Sequence, residues 1–154
     1  MGIPTVPHRR RVDLARCGVI NDTRPSPNCR QKGLLDMKSN IVLFGWNRSV
    51  PGRELISAEH FAEFVGYLGG LQESGVIESF EAIFLDPHGG DLGGFFLIRG
   101  EPDSLDTLLG TRDWIVHMTR GGQHLDGQGL VRGVTGDAVM ERMALWTELA
   151  ASYE

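Results

Sequence analysis

Two stretches of this sequence, Ile41-Val42-Leu43-Phe44-Gly45-Trp46 and Gly93-Gly94-Phe95-Phe96-Leu97-Ile98-Arg99, read as β-strands with apolar side chains on both faces. Successive side chains of a strand point to opposite sides of its sheet. Phe44 and Trp46 therefore oppose Leu43, and Phe96 and Ile98 oppose Phe95 and Leu97. A sheet covered by its own helices on one side and wetted on the other shows alternating strands. These strands do not alternate, so a second layer must cover the outer face. A twofold homodimer, sheet against sheet, is the economical cover, because large apolar patches are rarely left open on a monomer.

The intervening pattern completes an α+β order. Ser57 is a candidate N-cap, and Phe61, Phe64, Val65, Leu68 and Leu71 form one helical stripe behind it, closed by Gly75 as the C′ residue. Ile77 to Leu85 reads as a second strand, joined through Pro87-His88-Gly89-Gly90-Asp91 to the third in a hairpin. Leu105, Leu108 and Leu109 start another helix, which Gly110-Thr111 breaks; Thr111 recaps a piece holding Trp114, Ile115 and Met118, and Gly121-Gly122 stops it. Gly127 to Val134 is a Gly-rich fourth strand. Asp137 is expected to cap a last helix whose narrow seam is Val139, Met143, Trp146, Ala150 and Tyr153. The sum is β-α-β-β-α-β with an extra C-terminal helix: a split βαβ arrangement with one four-stranded antiparallel sheet and helices on one face.

Charge divides the chain. Residues 1–36 carry seven Lys/Arg against three Asp, a net +4, whereas residues 37–154 carry eight basic and seventeen acidic groups, a net −9. The acidic body would repel polyphosphate, so no nucleic-acid partner is expected for it. The basic segment holds four prolines and no sustained apolar period, and is expected to be a disordered N-terminal extension. Met37 directly precedes the first strand and is a candidate true start, leaving 37–154 as the folded domain. No membrane segment is expected. Both cysteines, Cys17 and Cys29, lie in the extension, so the body needs no disulfide and suits a reducing, cytoplasmic location.

Chemistry-bearing residues are few. His88 lies in the hairpin loop near Asp86 and Asp91, where it is either a ligand or base, or simply a polar turn residue. His60 falls one residue off the helical stripe and reads as a solvated helix position. His117, His124 and Asp126 are a conceivable metal triad, but their spacing matches no zinc signature, and no metal is expected. Trp114 and His117 share a helix face, which suits either helix-to-sheet packing or a pocket wall. Arg132 sits inside a strand, suited to a substrate carboxylate or enolate or to a structural salt bridge. Trp46 is a core filler or a pocket wall. Trp46, His88, Trp114, His117 and Arg132 are thus the ligand-pocket candidates. The body lacks Cys, has no serine in a nucleophile elbow, and has neither a phosphate loop nor a dinucleotide fingerprint, so no cofactor is called for.

On Asn40 to Trp46, the Phe80–Ile98 hairpin, Asp113-Trp114 and Gly129-Leu130-Val131-Arg132-Gly133, the chain resembles the dimeric α/β-barrel superfamily of ferredoxin-like proteins over about residues 39–152. That group contains antibiotic-biosynthesis-type monooxygenases, YCII-related and EthD-like proteins and members of uncharacterised activity. The resemblance implies a homodimer with a small-molecule pocket between sheet and helices or inside the barrel. It also implies cofactor-independent oxygenase or isomerase chemistry, against the alternative of a non-catalytic ligand-binding or assembly module. It carries no catalytic residue onto a position of this chain.

Overall fold

The two-sided apolar strands become the centre of a sheet. The computed structural model describes residues 38–153, so the expectations for the basic segment 1–36 lie outside the described residues. Strand β1 (Ile41–Trp46) is followed by a two-residue strand β2 (Arg48–Ser49), helix α1 (Glu54–Glu73), and strands β3 (Ser79–Phe84) and β4 (Gly94–Arg99). Helices α2 (Pro102–Leu109) and α3 (Arg112–Gly121), strands β5 (Leu125–Asp126) and β6 (Gly129–Gly133), and helix α4 (Asp137–Ala151) complete the chain. The main sheet is antiparallel throughout, in the order β3-β4-β1-β6. The chain is thus an α+β protein with a four-stranded antiparallel sheet. None of its described helices is long and apolar enough to cross a membrane.

Register sets the two faces. Phe44 lies opposite Phe96 across β1 and β4, with near-parallel rings 6.4 Å apart. Val42, Phe44, Trp46, Phe96 and Ile98 are buried on the side that meets the helices. Phe64 of α1 is the hub of this layer, with its ring 5.6 Å from Phe44, 5.1 Å from Phe96 and 5.8 Å from Trp114. On the opposite face Leu43 pairs with Leu97 and with Val131, and Val131 is 60% exposed. The outer face is therefore apolar and, within the described chain, only partly covered.

The local signals explain most element ends. Gly75 takes φ +76° after α1. Its N–H reaches the Gln72 carbonyl and the Val76 N–H reaches the Leu71 carbonyl, a Schellman closure of the helix. Thr111 caps α3 by accepting the Trp114 N–H. Two expectations change. Helix α1 starts at Glu54 behind Arg53, so Ser57 lies inside its first turns and does not cap it. Asp137 is the first residue of α4, behind Gly136. Helix α4 buries no side chain: its seam residues Val139, Met143 and Trp146 are exposed.

Candidate functional site

A cavity of about 310 Å³ lies between α1 and the helix-facing side of the sheet. Phe44, Trp46, Phe61, Phe84 and Phe96 supply its aromatic wall, and Ser57, His60 and His124 its most buried polar groups. Phe84 is 68% exposed and Glu54 is exposed as well, so the cavity opens to solvent along their side. The wall follows from alternation: Phe44 and Trp46 of β1, Phe84 of β3 and Phe96 of β4 point to the helix side of one sheet.

The polar side depends on a ribbon that the sequence pattern did not announce. β2 and β5 pair as a separate two-stranded sheet, and at its Ser49–Leu125 end the Val50 N–H reaches the His124 carbonyl at 2.8 Å. This fixes His124, only 3% exposed, against α1. There Ser57 Oγ lies 3.0 Å from His124 Nδ1 and 3.3 Å from the His124 carbonyl. His124 Nε2 lies 2.8 Å from His60 Nδ1, and His60 Nε2 lies 3.0 Å from His117 Nδ1. A serine and three imidazoles thus form one continuous hydrogen-bonded chain.

The geometry is a line. The His60 and His117 rings are near parallel (9°) with centroids 5.3 Å apart and facing nitrogens at 3.0 Å, so they meet edge to edge. His60 and His124 also meet by their edges, at 90° with centroids 5.0 Å apart. Each uses a different nitrogen of His60, so the three rings do not converge on a point. Among the described residues no group of three or more His, Cys, Asp or Glu is arranged to hold a metal ion.

All three imidazoles favour the neutral form. Burial lowers the pKa of His60 to about 4, and the Arg120 guanidinium and the neighbouring rings push the same way, against Glu63. Burial and then Arg120 lower His117 and His124, with Arg53 adding to His124. Arg120 itself is held beside the chain by a hydrogen bond to Glu63.

The five sequence candidates separate. Trp46 lines the cavity. His117 does not line it but joins the histidine chain, with Tyr67 4.6 Å from its ring. Trp114 is buried in the core against Phe64 and does not line the cavity. His88 is exposed in its loop, accepting the Gly90 N–H at 2.9 Å. Arg132 is a partly exposed partner of Asp106 on α2. Asp126 pairs with Arg48 and takes no part with His117 and His124. His60 is a correction: it is 5% exposed, not solvated. A signal for it exists in the spacing. Counting back from Leu68 and Phe64 by four reaches His60, and three more reaches Ser57, so all four share one row of α1. Comparison of the chain with protein-family models, with curated proteins and with solved structures finds no match in any of the three.

Proposed function

We propose that this chain binds a neutral, planar molecule of about two aromatic rings in the cavity between α1 and the sheet, as a homodimer of the ferredoxin-like α/β-barrel kind. One observation carries the ligand reading: a wall of aromatic rings with its buried polar groups gathered at Ser57, His60 and His124. Small-molecule sites combine apolar walls with a few convergent polar groups in this way. A cavity of about 150 Å³ accommodates benzene, so about 310 Å³ suits two fused rings. The charge class follows from the lining. It contains Glu54 but no Lys or Arg among the described residues, so a carboxylate would lack a counter-ion there. A hydroxyl or carbonyl would find Ser57 and His124. Cofactor-independent proton transfer is the chemistry this polar side offers, either as an isomerase step or as the deprotonation that precedes attack on dioxygen; binding without turnover is the alternative.

The dimer reading rests on the sheet order β3-β4-β1-β6 with helical crossovers, and on the outer apolar row Leu97-Leu43-Val131. That row can be buried by its own symmetry mate.

The ligand reading is tested by calorimetry with 2-naphthol. One saturable site per chain is expected, weakened at least about tenfold by Ala58→Trp, which fills the cavity from α1. Absence of saturable binding, or equal binding to that variant, overturns it.

A further inference from the structure

The geometry points to a proton wire: Ser57, His124, His60 and His117 conduct one proton between a hydroxyl bound in the cavity and solvent beside half-buried His117 on α3. The inference rests on the proposed binding site for its inner end and on the hydrogen-bonded chain for everything else.

A neutral imidazole carries one N–H and one bare nitrogen. In a line of neutral rings every hydrogen bond must therefore run in the same direction. Two arrangements satisfy all the contacts. In the outward arrangement the Ser57 hydroxyl donates to His124 Nδ1, His124 Nε2–H donates to His60 Nδ1, and His60 Nε2–H donates to His117 Nδ1. The outer His117 nitrogen then carries a hydrogen. In the inward arrangement each of these bonds reverses, and the Ser57 hydroxyl turns to the His124 carbonyl 3.3 Å away. That second acceptor lets the serine sit at the end of either arrangement.

One passage along the chain converts the first arrangement into the second. A bound hydroxyl gives its proton to Ser57 Oγ as the serine proton moves to His124 Nδ1. His124 Nε2–H passes its proton to His60 Nδ1, and His60 Nε2–H passes its own to His117 Nδ1. His117 releases its outer proton to water. The ligand keeps the O–H electron pair as an oxyanion, one proton appears in solvent, and every protein group stays neutral. The reverse passage protonates a bound oxyanion or carbanion. A buried His60 that never takes a net charge escapes the cost of an isolated ion in an apolar site. Cavity and outlet are distinct ends: Ser57, His60 and His124 line the cavity, and half-buried His117 on α3 does not. Ser57 is the catalytic residue in this scheme, and His60 and His117 are positioning residues that act through it.

The full-length chain carrying 2-naphthol tests the wire, because excited naphthol releases its hydroxyl proton only where an acceptor is in contact. Bound naphthol should emit from the naphtholate in the wild type and from neutral naphthol in Ser57→Ala, His60→Phe and His117→Phe, with affinity kept within severalfold in His117→Phe, whose side chain does not line the cavity. Tight binding with neutral emission in the wild type overturns the wire while leaving the binding site intact. Naphtholate emission unchanged in all three variants overturns it too, since cavity water would then be the acceptor. A second measurement needs no ligand. Imidazole nitrogen NMR at neutral pH should show N–H···N coupling across His124–His60 and His60–His117. Three uncoupled rings, each titrating near the ordinary histidine value, overturn the wire whatever the outcome with naphthol.

Discussion

His60 Nδ1 stands 2.8 Å from His124 Nε2, with the two rings at right angles and both nearly excluded from solvent. A protonated ring at either position would lose its hydration and face Arg120. The unfolded chain, by contrast, protonates these imidazoles near 6.5. Between about 6.5 and about 4 the unfolded state therefore binds more protons than the folded one, and stability falls as the pH drops through that window. Above it the contribution is full. For His60 alone the shift corresponds to about 3 kcal/mol at about 1.4 kcal/mol per pH unit, and His117 and His124 act in the same direction. Urea unfolding at stepped pH should show this slope, and His60→Phe should reduce it. A flat profile between pH 4 and 7 would contradict the neutral histidine chain.

Two glycines should respond to alanine for different reasons. Gly75 has φ +76° but nothing within 4 Å of where a Cβ would stand, so Gly75→Ala costs only the left-handed conformation, about 1–2 kcal/mol. A Cβ on Gly93 would collide with the Asn47 carbonyl oxygen, backbone that cannot swing aside. The Gly93 N–H also holds the Trp46 carbonyl at 2.9 Å, tying the hairpin to the end of β1. Gly93→Ala should therefore lower the melting temperature more than Gly75→Ala and disturb the Trp46 wall of the cavity. Thermal unfolding of the pair decides it; equal losses would mean that β1 and the hairpin loop are not in this close contact.

How far the sequence disclosed this arrangement depends on the length of each signal. β1 and β4 are legible because six consecutive residues carry the apolar two-sided pattern. Helix α1 is legible from Phe64, Leu68 and their neighbours, and its end from Gly75. β2 and β5 have two residues each, too short for any period, yet their pairing is what brings His124 to α1. His60 is obscured in the sequence because the apolar residues Phe61, Phe64, Val65, Leu68 and Leu71 already form a stripe without it, while the buried row passes through His60, Phe64 and Leu68. Arg132 drew notice as a charge inside a strand, but β6 is an edge strand, and a guanidinium there can reach Asp106 and water together.

The outer sheet face gives a prediction on assembly. Val131 is 60% exposed and lies beside Leu43 in the apolar row. Val131→Glu places a charge within the proposed interface, at a side chain that is not part of the buried core. Light scattering at micromolar concentration should report a dimer for the wild type and a monomer for Val131→Glu, with an unchanged far-ultraviolet spectrum. A wild-type monomer, or a variant that stays dimeric, would remove the sheet-to-sheet interface.

Arg132 and Trp46 should behave oppositely toward a cavity ligand. The Arg132–Asp106 pair has both side chains more than two-fifths exposed, and pairs of this kind contribute at most about 1 kcal/mol. Arg132→Ala should therefore leave 2-naphthol affinity unchanged and cost little stability. Trp46 lies within 6.3 Å of the Phe61, Phe84 and Phe96 rings, and its side chain forms part of the wall itself. Trp46→Leu keeps the site apolar but removes ring area from the ligand's flank, so affinity should fall by roughly ten- to a hundredfold, about 1.4–3 kcal/mol. Calorimetry on the two variants compares them directly. A loss of binding in Arg132→Ala with retention in Trp46→Leu would move the ligand site away from α1 to the β6–α2 edge.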